Sequence, residues 1–341
     1  MSARLHNLAW IRFFAIIFVV LIHTSAEFAL QEPLSLCWLF SLAVEAVSRE
    51  GLCLFFVLSG FLLIKEFSSR KEIYSFFIRR LGRILPPFFL WSLFYFYYSN
   101  GFSFDILLFI RSFIQGPVYP HLWFMYTLIG IYIATPFISN LIVRSRFCDF
   151  SLFVLISFCS WSLFPIFSFC NINISFLGFF PSFWAVYFFC GYLLKIFCSD
   201  FLSKLSFRWL VFIYCFSVVV IFFLSFFTSN SVTPLISGFD PRPYDFNIFM
   251  AVATCSLFLI LYVRFSRPLP RLISFISDHS FGIYLSHMLF LDLYSKFISI
   301  DLWFIAFLFK PIFVLCCSIF FEFLCCLALR YISMLFSFMK S

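Results

Sequence analysis

Apolar runs of about 20 residues recur along the whole of this chain, separated only by short polar connections. In lipid no water meets the backbone N–H and C=O groups, and a helix pairs its own, so runs of this kind cross a membrane as helices. A soluble domain is excluded: of 341 residues, 64% are apolar and 11% charged. The expected fold is an all-α polytopic integral membrane helical bundle, one transmembrane domain over residues 1–341. Spans are expected at roughly 8–30, 50–64, 84–99, 122–142, 151–170, 181–198, 209–228, 246–263, 279–298 and 302–336, about ten in all. The second is short, and the last is long enough to kink at Pro311. Segments 36–47 and 104–115 read as interfacial or re-entrant pieces. The 61 Phe residues are bulky lipid-facing filler and carry no functional signal.

Basic residues orient the bundle. Eighteen of the 23 Lys and Arg fall in one set of connections, leaving Arg49, Arg111, Arg242, Lys296 and Lys310 for the other. Cytoplasmic connections carry such an excess, so both termini are expected in the cytoplasm. The net charge of +8 is therefore a topology signal; it is gathered on no soluble face, and no nucleic-acid partner is expected. The 13 cysteines sit mostly in apolar runs, with no C-x-x-C and no zinc-ligand spacing, so they read as small hydrophobes and no metal site is expected. Thr24-Ser25-Ala26 faintly resembles a signal-peptidase site. The apolar stretch before it carries Arg12 and His23, so an uncleaved anchor is expected.

Those two residues are the first candidates for chemistry. Ionisable groups inside spanning helices face a partner or a cavity. Eleven residues separate Arg12 from His23, about three turns, so they share one helix face roughly 16 Å apart. A fixed cation near one surface and an imidazole deeper in suit a ligand with an anionic head and a reactive tail. The plain alternative is a snorkelling arginine and a packed histidine. Glu50 opens the second span, where Ser59 and Gly60 are small enough for close helix approach. Next comes the most basic stretch, with Arg79, Arg80 and Arg83 ahead of Pro86-Pro87. It reads either as inside-positive charge on anionic lipid or as a phosphate clamp, with the Pro pair turning the chain back into the membrane. His121 and Trp123 open the fourth span; they suit an aromatic belt or a sugar site equally. His287 in the ninth span is a second intramembrane imidazole.

Together these pieces resemble the membrane acyltransferase type 3 family. Arg12 and His23 fit its Arg, ten residues, His pattern. Gly51-Leu52-Cys53-Leu54-Phe55-Phe56-Val57-Leu58-Ser59-Gly60 is similar to its G-V-P-x-F-F-x-[IL]-S-G run, departing at Cys53, where the family usually has Pro. Glu50 just ahead replaces a small or apolar residue. Arg80-Leu81-Gly82-Arg83 fits its Arg-x-x-Arg motif. His121-Leu122-Trp123-Phe124 and His279-Ser280-Phe281-Gly282-Ile283-Tyr284, followed by His287, resemble the branch that modifies surface polysaccharides such as enterobacterial common antigen.

The resemblance implies transfer of an acyl group, usually acetyl, from cytoplasmic acyl-coenzyme A to a hydroxyl of an envelope glycan or undecaprenyl-linked sugar. The protein would sit in the bacterial inner membrane, with the bilayer as solvent and no permanently bound cofactor; acetyl-CoA is the donor. His23 and Arg12 are the expected catalytic pair, and Arg12, Arg79, Arg80 and Arg83 the expected contacts to coenzyme A. Glu50, His121, Trp123 and His287 are the expected acceptor contacts. A neutral His23 either deprotonates the sugar hydroxyl or carries the acyl group itself, and the sequence leaves both open. The rival reading is a flippase of lipid-linked sugars without acyl transfer. Such transporters usually show internal repeats, and none is visible here.

Overall fold

The computed structural model describes residues 3–169, 181–200, 206–229, 247–265 and 268–338. Lys204, Arg242, Arg267, Lys340 and most of the connection after the seventh expected span lie outside these residues. The described chain is helical, with no strand: α1 (Ala3–Ser25), α2 (Leu36–Ser48), α3 (Glu50–Leu63), α4 (Arg70–Ser99), α5 (Ile106–Gln115), α6 (Trp123–Arg144), α7 (Phe147–Phe169), α8 (Phe183–Asp200), α9 (Phe207–Ser229), α10 (Ile248–Arg264), α11 (Arg271–Asp278), α12 (Ser280–Phe297) and α13 (Trp303–Phe338). Five stretches are long and apolar enough to cross a membrane: His6–Leu30, Leu36–Leu63, Pro120–Arg144, Phe207–Phe227 and Trp303–Tyr331. Shorter apolar helices accompany them, so the chain is an all-α polytopic membrane protein.

Two local expectations change. Segment 36–47 is no separate re-entrant piece. Ser35 caps α2 by accepting from the Trp38 N–H at 3.2 Å, and Arg49 keeps helical backbone while donating to Glu45 O at 3.2 Å. Thus α2 runs almost straight into α3, and the short second span becomes part of the 28-residue stretch Leu36–Leu63. Second, Pro86 and Pro87 do not turn the chain, because α4 passes through them. Proline removes the N–H that would meet the carbonyl four residues back, here Gly82 and Arg83, and a packed membrane helix tolerates that loss. Arg79, Arg80 and Arg83 therefore stand on a helix and not on a loop. The long last span is there as α13, with Pro311 inside it.

Leu8, Ile11, Ala15, Ile16 and Val19 form a buried stripe on α1, at the spacing of one helix face. α3 packs against it where Gly51 meets the Ala15 carbonyl and Val19. On its other side α3 crosses α8 through Gly60 and Gly191: a Cβ on Gly60 would overlap the Phe188 carbonyl, and one on Gly191 the Val57 carbonyl. Polar ties then fix register. Asn7 Nδ2 donates to Tyr262 O at 2.6 Å, joining α1 to α10. The Tyr95 hydroxyl donates to Leu285 O at 2.8 Å and accepts from the Leu289 N–H at 3.2 Å, fastening α4 to α12.

The Gly60 crossing gives a direct test. Gly60→Ala forces a methyl group into the Phe188 backbone and is expected to cost about 1–3 kcal/mol, read as a lower thermal midpoint in detergent. Gly82→Ala, where a Cβ meets nothing within 4 Å, is expected to leave the midpoint unchanged or raise it. Equal midpoints for Gly60→Ala and the parent would contradict the close crossing.

Candidate active site

Helix α1 spaces the two principal groups. At one end Arg12 lines a cavity of about 350 Å³ whose walls also include Arg80 and Arg83 from α4, Ser59 from α3, Tyr132 from α6 and Tyr284 from α12. Arg80 and Arg83 also line an adjoining cavity of about 310 Å³ with Arg79, Lys65 and Glu72. The arginines thus form one continuous basic surface around the mouths of both cavities. Arg12 Nη1 stands 3.9 Å from Asp278 Oδ1, a loose pairing with a half-exposed carboxylate that leaves its fork available to a stronger anion. On the cavity wall the Ser59 and Tyr132 hydroxyls are 3.3 Å apart.

Tyr284 is part of the wall of the 350 Å³ cavity, and its ring also packs against a cluster of three imidazoles from three elements. The His23 and His287 rings are 5.1 Å apart by centroid, and His121 and His287 are 5.2 Å apart. Tyr284 lies 5.4 Å from His121 and 5.7 Å from His287. Its hydroxyl donates to the His121 carbonyl, which pins the 3-10 turn Pro120–Leu122 to α12. Tyr95 stacks on Tyr119 at 4.3 Å and meets His121 edge-on at 5.1 Å, and Tyr119 in turn donates to Asp292. The rings pack on one another, and among the described residues no group of His, Cys, Asp and Glu is placed to hold a metal ion.

The surroundings give the histidines different roles. His287 Nδ1 stands against the Tyr284 carbonyl, which can only accept, so Nδ1 carries the proton and Nε2 the lone pair. That Nε2 is buried and has no hydrogen-bond partner among the described residues. His121 and His287 are fully buried, whereas His23 is half-buried.

Of the residues singled out from the sequence, Arg12, Arg80 and Arg83 come together at one cavity, and Arg79 lies beside them. His23, His121 and His287 come together in one cluster that Tyr284 joins to the wall of that cavity. Two fall elsewhere. Glu50 is fully buried beside Tyr214 of α9 and lines neither basic cavity. Trp123 packs on Trp184 at 4.9 Å and lines neither cavity as well. Sequence reasoning missed Tyr95, Tyr119 and Asp292, which brace the histidines, and Tyr284, which stands between them and the arginines. The spacing of Tyr284 and His287, one turn apart on α12, was a usable signal; the meeting of positions 121 and 287 was not.

Comparison with known proteins fits this arrangement. A stretch of 88 residues is 33% identical to Nodulation protein 10 of Rhizobium leguminosarum bv. viciae, covering 26% of this chain and 23% of that protein. No solved structure matches. The family described as an acyltransferase domain matches residues 5–331, which takes in every helix that carries the arginines and the histidines. The chain therefore belongs to that acyltransferase family.

Proposed function

We propose that this chain transfers an acetyl group from acyl-coenzyme A to a hydroxyl of a cell-envelope glycan or undecaprenyl-linked sugar of the surface-polysaccharide type, within the bacterial inner membrane and with both termini cytoplasmic. The observation that carries the reading is the Arg12–Arg80–Arg83 cavity, whose wall includes Tyr284, a side chain that packs on His121 and His287. Coenzyme A is an anionic head on a long arm ending in a thioester. Arginine forks match its phosphate oxygens, and the arm follows the cavity past Ser59 and Tyr132 toward the histidines.

His23 is the half-buried member of the cluster and acts on the reacting groups. By one route it takes the proton of the acceptor hydroxyl as the oxygen attacks the thioester carbonyl. By the other it attacks first and holds the acetyl group until the hydroxyl displaces it. In both, the C–S bond breaks, a C–O ester forms and the departing thiolate gains the proton that the hydroxyl loses. His287, with Nδ1 committed to a carbonyl and Nε2 facing the cluster, holds or relays that proton. His121 is a positioning residue, fixed by Tyr284 and Tyr95.

Two outcomes are expected. Arg80→Ala and Arg83→Ala weaken coenzyme A binding by roughly 10- to 100-fold each in calorimetry, the worth of a charge-assisted hydrogen bond. Arg208→Ala, at an exposed first-turn position of α9, leaves it unchanged. Equal loss in all three would reduce the arginines to ordinary inside-positive charge. The second outcome concerns His23→Ala. Mass spectrometry of envelope polysaccharides is expected to show the added mass of one acetyl group per modified unit with the parent and none with His23→Ala at equal protein level, a loss of about 10²-fold or more. Coenzyme A binding is expected to persist. A variant with half the parent's activity would remove His23 from the chemistry.

A further inference from the structure

A cavity of about 540 Å³ lies past the C-terminal end of α1, away from Arg12. It is lined by Glu27 and Glu32 from the connection after α1, Tyr294 near the end of α12, and Asp301, Trp303 and Lys310 at the start of α13. Its position follows from helix arithmetic. Glu27 lies four residues past His23, about 6 Å on, and Tyr294 lies seven residues past His287, two turns on and nearly on the same face. The cavity thus continues the line that runs from the arginines through the histidines.

Its chemistry is specific. Lys310 is 2% exposed and forms an ion pair with Glu27, its ammonium 6.0 Å from the Phe28 ring centre and 5.4 Å from that of Tyr294. This pair holds the floor in place. The Tyr294 hydroxyl is buried, in a residue 4% exposed, and has no hydrogen-bond partner among the described residues, although a buried polar group left unmade is costly. Trp303 is half-buried at the rim, and Phe40 and Phe304 meet its ring at 57° and 88°, not face to face. Three carboxylates stand against one ammonium.

A flat indole face, acceptors for paired hydroxyls and an orphaned phenol suit one class of ligand, a sugar. The excess of carboxylates disfavours a sugar that itself carries an acid group. We propose that this cavity binds an uncharged, hydroxyl-rich sugar unit, its ring on Trp303 and its hydroxyls on Tyr294 and the carboxylates. Its role as the acceptor site rests on the acyl-transfer reading; the binding itself does not.

The test uses the full chain in detergent, with methyl α-glucoside and methyl β-glucuronide as probes, read by saturation-transfer NMR. The glucoside is expected to bind saturably and the glucuronide at least about tenfold more weakly. Trp303→Ala is expected to abolish the glucoside signal. Tyr294→Phe, which removes one hydroxyl, weakens it roughly 2- to 10-fold. Asp301→Asn narrows the gap between the two probes. The proposal is overturned if the glucoside does not bind, if Trp303→Ala leaves binding unchanged, or if the glucuronide binds more tightly. Coenzyme A binding in the same preparations separates the two ideas. Intact coenzyme A binding without sugar binding overturns this site alone. Sugar binding as expected in a protein that transfers no acyl group overturns the acyl-transfer reading and leaves the sugar site standing.

Discussion

Lipid offers a buried imidazole neither a donor nor an acceptor, so a histidine inside this bundle depends on the groups that the protein packs around it. That requirement organises the centre of the molecule. His287 commits Nδ1 to the Tyr284 carbonyl, the Tyr284 hydroxyl takes the His121 carbonyl, and Tyr95 ties the same part of α12 to α4. Each bond is worth only about 0.5–1.5 kcal/mol net. Their effect is geometric: they bring α4, the 3-10 turn and α12 to one point and so tie the helix that carries Arg80 and Arg83 to the histidines. The glycine crossings of α3 do the complementary work, since only a residue without a side chain lets the α3 and α8 backbones approach this closely.

The result is a division along α1. One end is basic and open to an anion through two adjoining cavities. The other is polar, acidic and aromatic. Between them stands a small cluster in which His23 is the one half-buried imidazole. Under the proposed acyl transfer, a donor and an acceptor would approach from opposite ends without either crossing the bundle. No histidine lines either basic cavity; Tyr284, in the wall of the larger one, is the side chain that also touches the histidines.

Much of this was legible from residue order alone. The apolar runs gave the all-α membrane fold, and the eleven-residue step from Arg12 to His23 gave their shared face, because helix geometry is local. The Arg80 and Arg83 pair was visible as a motif, but its helical setting was not. Two prolines in sequence read as a turn, whereas tertiary packing carries α4 through them. Segment 36–47 was misread for a similar reason, since nothing local announces that Arg49 keeps helical backbone and joins α2 to α3. The meeting of His121 with His287 was illegible. It depends on the Tyr284 and Tyr95 bonds, which link positions 163 and 190 residues apart. The 540 Å³ cavity draws its lining from two stretches far apart in sequence, 27–37 and 294–310, and nothing local announces that they meet.

The central claim is that acyl groups enter at the arginine end and leave through His23. Membrane vesicles of the two orientations test it most directly, with radiolabelled acetyl-CoA outside and label measured in the envelope glycan. The account predicts incorporation with vesicles that expose the Arg80 and Arg83 face, no incorporation with the opposite orientation, and none in either for His23→Ala. Equal incorporation from both faces, or incorporation that survives His23→Ala, would contradict it.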